Sequence, residues 1–250
     1  MTDRRADIAA NLAAVRDRIA RACAAADRDP AEVSLLAVTK TFPASDVALL
    51  SDLGLTEFAE NRDPEAVGKI PEFDRLRPDA GARWQMVGRL QRNKARSVVR
   101  WADTVQSVDS ERLADALARA AATALDKRER SEPLGVLIQA SLDGDPARGG
   151  VPLPELPSLA NRIASEASLE LRGVMAVAPL GQPPEPYFER LADAADRLRT
   201  DHQGAIVMSA GMSGDLEAAI GWGSTCVRVG TALLGTRELA SQASVEEGQP

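Results

Sequence analysis

Eight short apolar runs, each followed by a connection that could carry a helix, constrain this chain of 250 residues more than any other feature. The first, Ser34–Lys40, is too short for a helix and apolar enough for a buried strand. Seven further strand candidates lie near Glu57–Asn61, Trp84–Gly88, Thr104–Val108, Leu134–Ser141, Leu171–Ala178, Ala205–Ser209 and Cys226–Gly230. Helical stretches near 44–53, 62–70, 91–100, 110–130, 155–168, 186–201 and 213–221 separate or follow them. Strict alternation implies parallel strands, and eight βα units in roughly 250 residues match a closed (β/α)8, or TIM, barrel. An open doubly wound sheet would carry a glycine-rich turn after its first strand. This chain has Lys40-Thr41-Phe42-Pro43 there instead, so the α/β barrel is the expected fold.

Ahead of the first strand, Ile8, Leu12, Val15, Ile19 and Cys23 recur at helical intervals. They predict an extra N-terminal helix from Arg5 to Ala26, capped by Asp3 or Thr2 and covering the bottom or side of the barrel. No linker divides the chain, so residues 1–237 read as one barrel domain and 238–250 as a polar tail.

Composition removes several function classes. A net charge of −7 and 3% aromatic residues argue against a nucleic-acid clamp or a base-stacking surface. The single histidine, His202, excludes multi-histidine metal sites and most histidine triads. Cys23 and Cys226 form no paired motif and read as small buried apolar residues. With no leader pattern and no long apolar run, the expectation is a cytoplasmic protein that does not enter membranes.

In a TIM barrel the chemistry gathers at the C-terminal ends of the strands. Lys40 stands there, one of four lysines against 26 arginines. At an ordinary pKa only about one lysine in 2,500 is neutral at pH 7, and desolvation at a barrel mouth would favour the nucleophilic free amine. After the seventh strand comes Ser209-Ala210-Gly211-Met212-Ser213, with Ser213 as the expected cap of the next helix. The eighth strand closes on Arg228-Val229-Gly230-Thr231. Hydroxyls, glycines and a guanidinium on these two loops suit a phosphate. An amine and a phosphate site at one mouth fit pyridoxal 5′-phosphate (PLP), and equally a sugar-phosphate aldolase.

Six ordered blocks carry a family resemblance. They are Leu36–Thr41, Phe58–Asn61, Trp84–Lys94, Gly173–Ala176, Ser209–Asp215 and Val227–Thr231. Together they resemble the YggS/PROSC family of PLP homeostasis proteins, over roughly residues 5 to 237. The resemblance implies a barrel like the N-terminal domain of alanine racemase, with Lys40 holding PLP as an internal aldimine. It assigns phosphate binding to Ser209, Gly211, Met212 and Ser213 and to Arg228, Gly230 and Thr231. Asn61 and Met175 match residues that line the family's cofactor pocket. It implies a carrier that buffers PLP, with PLP-dependent apoenzymes as possible recipients, rather than a catalyst. A monomer is expected.

This chain departs from the usual pattern at Ala59, Asp63-Pro64, Gln85, Arg148 and Ala210, so roles resting on a strand-three histidine or a second loop lysine are not carried over. A PLP-dependent racemase or decarboxylase is the competing reading. Two-base racemisation needs a second base, and the only tyrosine, Tyr187, opens a helix in a proline-rich segment. Arg89, Arg92, Arg96 and Arg100 would share one helical face, read as solvated surface. Trp84, Trp101 and Trp222 read as packing residues.

Overall fold

A computed structural model describes residues 3–145 and 148–236. The expected tail over 238–250 lies outside the described residues. The strands are β1 (Ser34–Val38), β2 (Glu57–Glu60), β3 (Arg83–Met86), β4 (Thr104–Val108), β5 (Leu134–Ser141), β6 (Leu169–Met175), β7 (Val207–Ser209) and β8 (Cys226–Val229). All neighbours pair in parallel and in chain order, and β8 returns to β1 with Leu36 opposite Arg228, closing the barrel. The closure leaves no barrel strand with an open edge. A two-residue strand, Val151–Pro152, pairs beside the end of β5 outside the ring.

The helices are α1 (Arg4–Ala25), α2 (Ala44–Asp52), α3 (Asp63–Leu76), α4 (Ala95–Val98), α5 (Glu111–Asp126), α6 (Leu156–Ala164), α7 (Glu185–Asp201), α8 (Leu216–Gly221) and α9 (Thr231–Leu234). Asp3 caps α1 by accepting from the Arg5 amide at 3.1 Å. Its apolar stripe, Ile8, Leu12, Val15, Ile19 and Cys23, is buried. α1 lies on the side of the barrel against α2, α8 and α9. It also props the last two loops. Arg18 donates to the Ser213 carbonyl at 3.0 Å, Asn11 to Leu233 at 3.0 Å and Arg4 to Leu234 at 3.0 Å. α8 and α9 are only one or two turns long, so this bracing replaces the packing that longer helices would supply.

Most apolar mass lies between the strands and the helices, where alternate strand residues point outward. Phe58, Phe73 and Trp84 pack there at tilted and edge-to-face angles, with ring centroids 5.3–5.7 Å apart. The barrel interior is different. Leu36, Ala59 and Cys226 form a small apolar plug, and Gln106, Ser209 and Arg228 are buried beside it. Among the described residues no helix is long and apolar enough to cross a membrane.

The basic stretch after β3 folds otherwise than its periodicity suggests. Arg92–Lys94 is a single 3-10 turn and α4 spans only 95–98, so Arg89 and Arg100 lie outside any helix and no continuous basic face forms. The Trp101 indole donates to Asp63 at 3.1 Å, and Trp222 is more than a third exposed rather than packed away.

Candidate functional site

A cavity of about 610 Å³ opens at the C-terminal ends of the strands, within the range common for small-molecule sites. Eight of the ten residues singled out above line it: Lys40, Asn61, Met175, Met212, Ser213, Arg228, Gly230 and Thr231. Val38, Phe42, Val87 and Val177 supply apolar wall. Ser209 and Gly211 do not line it. Ser209 is wholly buried in the barrel interior. Gly211 sits under the loop at φ +90°, where a Cβ would stand 2.7 Å from the Ala219 Cβ.

Lys40 follows β1 by two residues, in a turn closed by the Phe42 amide donating to the Thr39 carbonyl at 3.1 Å. Its side chain is exposed, which corrects the expectation of a desolvated amine. Among the described residues it makes no hydrogen bond or ion pair, so the amine is uncommitted. The other lysines differ. Lys69 is buried against Glu60 at 2.6 Å and Glu65 at 2.9 Å, and Lys94 lies 3.9 Å from Asp63. Lys127 caps the C-terminal end of α5, away from the mouth. Asn61, just after β2, lines the cavity, and the chain after β3 packs directly on its backbone. A Cβ on Gly88 would lie 2.1 Å from the Asn61 carbonyl oxygen, so only glycine permits this approach.

Across the cavity, Met212, Ser213 and Gly214 follow β7, and Gly230 and Thr231 follow β8. Ser213 does not cap the next helix. α8 opens at Leu216, and the Asp215 carboxylate instead accepts from the Met212 amide at 2.6 Å, folding the loop on itself. Below this loop Arg228 is 5% exposed. Its Nη1 donates to the Ser209 carbonyl and hydroxyl, both at 2.7 Å, and its Nη2 to the Ala176 carbonyl at 2.7 Å. Among the described residues no carboxylate pairs with it. Burial pulls its pKa below the ordinary guanidinium value. A guanidinium remains charged regardless, so the cavity floor carries a desolvated positive charge with no carboxylate in ion-pair contact among the described residues, and Asp215 acts on it only at longer range.

Two networks support these groups, and neither was anticipated. In the barrel interior the Ser209 hydroxyl donates to Gln106 Oε1 at 2.7 Å, Gln106 donates to Gln85 at 2.7 Å, and Gln85 donates to Glu57 at 2.7 Å. Gln85, noted above only as a departure, is thus one link of a chain running from Arg228 to the opposite end of the barrel. The second network joins Glu60, Glu65 and Lys69 to the Lys40 turn. Its one legible signal is the Glu65/Lys69 spacing on a helix. Arg148 pairs with Asp143, while His202 and Tyr187 do not line the cavity.

The family model for the alanine racemase N-terminal domain matches residues 10–238. A relative from Mycobacterium tuberculosis, named pyridoxal phosphate homeostasis protein, is 48% identical over 249 residues, covering 96% of each chain. An Escherichia coli relative of the same name is 39% identical over 241 residues, covering 94% of this chain and 99% of its own. The structure of PipY from Synechococcus elongatus with PLP bound superposes with a TM-score of 0.75 at 31% identity, covering 91% of this chain and all of that one. On these likenesses, which span nearly its whole length, the chain belongs to the YggS/PROSC family of pyridoxal phosphate homeostasis proteins, built on the alanine racemase N-terminal domain.

Proposed function

We propose that the protein binds PLP in the mouth cavity, covalently and reversibly through Lys40, and acts in PLP homeostasis. Residues 1–237 are then the binding domain of a cytoplasmic monomer, which buffers the cofactor and passes it to PLP-dependent apoenzymes. One observation carries this reading: among the described residues a single cavity presents an uncommitted primary amine on one side and, beneath two hydroxyl- and glycine-bearing loops on the other, a buried guanidinium with no carboxylate in ion-pair contact. PLP is a flat ring with an aldehyde and a phosphate on separate arms, and this donor set suits both. When bound, PLP supplies an aldehyde that condenses with a primary amine, releasing one water.

In this reading Lys40 delivers its amine from an exposed turn, so no side chain has to be unpaired first. Ser213 and Thr231 offer hydroxyl donors, and Gly214 and Gly230 allow close backbone approach to the phosphate. Ser209 and Gly211 act from behind, Ser209 by holding Arg228 and Gly211 by shaping the loop. Asn61, Val38, Val87 and Met175 bound the space for the ring.

The same cavity argues for carriage rather than turnover. Among its described lining residues there is no histidine, tyrosine, aspartate, glutamate or cysteine. Lys40 is therefore the only ordinary proton-transfer group there, and a racemase needs two.

The test is reduction of the PLP-loaded protein with borohydride followed by peptide mass spectrometry. The pyridoxyl group is expected on Lys40, and Lys40→Ala should lose the visible absorbance of bound PLP while keeping its melting temperature. Modification of Lys69, Lys94 or Lys127 instead would overturn the assignment.

A further inference from the structure

We propose that Glu65 and Lys69, tied together by Glu60, are positioning residues for Lys40: they pin the two peptide groups that flank it and so set where its amine stands. This rests on the reading that Lys40 bonds PLP.

The peptide before Lys40 is held through its carbonyl. Thr39 O accepts from Lys69 Nζ at 2.7 Å and from the Phe42 amide at 3.1 Å. The peptide after Lys40 is held through its N–H, since the Thr41 amide donates to Glu65 Oε1. Glu60 Oε1 accepts from Lys69 Nζ at 2.6 Å and from the Thr39 hydroxyl at 2.6 Å, which locks the cluster to the end of β1.

The turn needs such restraint. Thr41 has φ +68°, a left-handed conformation costly for a β-branched residue and kept only where the surroundings impose it. A lysine amine sits at the end of four methylenes, so a small rotation of either flanking peptide displaces it widely. A buried ion pair is by itself a poor source of stability. Here the acceptors and donors of α3 and β2 converge on the residues either side of Lys40, which a purely structural pair would have no reason to do.

The experiment compares two ligands on wild type, Glu65→Ala and Glu65→Gln. PLP bonds the amine, whereas pyridoxine 5′-phosphate has the same phosphate and ring without the aldehyde. Glu65 is partly exposed on α3, so its truncation should fold. Glu65→Ala is expected to weaken PLP binding by up to about 100-fold, because an amine no longer fixed in place loses effective molarity toward the aldehyde. It should leave pyridoxine 5′-phosphate binding within about twofold. Glu65→Gln keeps an oxygen for the Thr41 amide and should restore PLP affinity, a rescue that charge loss alone would not allow. The double variant Glu60→Gln/Lys69→Met should show the same selective loss.

Equal weakening of both ligands, or PLP affinity unchanged in Glu65→Ala, would overturn the proposal. If wild type itself held PLP no better than pyridoxine 5′-phosphate and Lys40→Ala changed neither, the Lys40 reading would fall, and this inference with it.

Discussion

The guanidinium of Arg228 donates to the Ser209 hydroxyl at 2.7 Å, and that hydroxyl donates onward to Gln106 at 2.7 Å. Ser209 thus faces the barrel interior, and its effect on the cavity passes through Arg228.

Ser209→Ala should therefore weaken PLP binding by misplacing the charge. It removes an acceptor from a charged donor and leaves Gln106 Oε1 short of a partner, a loss of about 1–3 kcal/mol in folding stability. Chemical denaturation and PLP titration on the same variant should show both effects. A variant with wild-type stability and weaker binding would instead argue for direct contact with the ligand.

Thr231→Val and Ser213→Ala remove hydroxyls that line the cavity without touching the core. Hydrogen bonds to a charged phosphate contribute about 1–3 kcal/mol each, so each variant should raise the dissociation constant about 5- to 150-fold. Melting temperature without ligand should stay close to wild type. Titration at saturating PLP should still recover the full visible band, because Lys40 is intact.

Burial raises the Glu60 carboxyl above its ordinary value of 4.5, against hydrogen bonds from Lys69 and Thr39 that lower it. Its second oxygen has no hydrogen-bond partner among the described residues. The folded protein thus holds this proton more tightly than the unfolded chain does. The resulting stabilisation is complete below 4.5 and is lost as pH rises through the raised folded value. Glu60→Gln, which mimics the protonated carboxyl, should gain stability relative to wild type over that rise. Urea unfolding of both proteins at about pH 4 and about pH 8 gives the comparison, and a gap that narrows in favour of wild type would contradict it.

Racemase, transaminase and decarboxylase assays with common amino acids should find turnover well below about 1 s⁻¹, the lower end of typical enzymes. Slow exchange of the α-proton in deuterated water is expected, because bound PLP acidifies that carbon without a placed base. Faster turnover abolished by Lys40→Ala would establish an enzyme.

The alternation of short apolar runs with helical stretches was enough to read a closed parallel barrel, because buried strands and amphipathic helices leave different periodicities in the chain. The N-terminal helix was legible for the same reason, from Ile8 to Cys23. Lys40 and the loops ending at Ser213 and Thr231 could be read as site residues because a parallel barrel gathers its strand ends at one mouth. Side-chain direction and exposure were not legible. Ser209 and Ser213 look alike in a Ser-Ala-Gly-Met-Ser segment, yet one is sealed inside the barrel and the other lines the cavity. The sequence placed Lys40 at a strand end but not its exposure: it is exposed and, among the described residues, without a partner, whereas Lys69 is buried between two carboxylates. These distinctions arise from which residues face one another across strands and helices far apart in the chain. Glu60 meets Thr39 across two strands, and Arg228 meets Ala176 over 52 residues. Local periodicity carries no record of such partners, so only the closed barrel decides them.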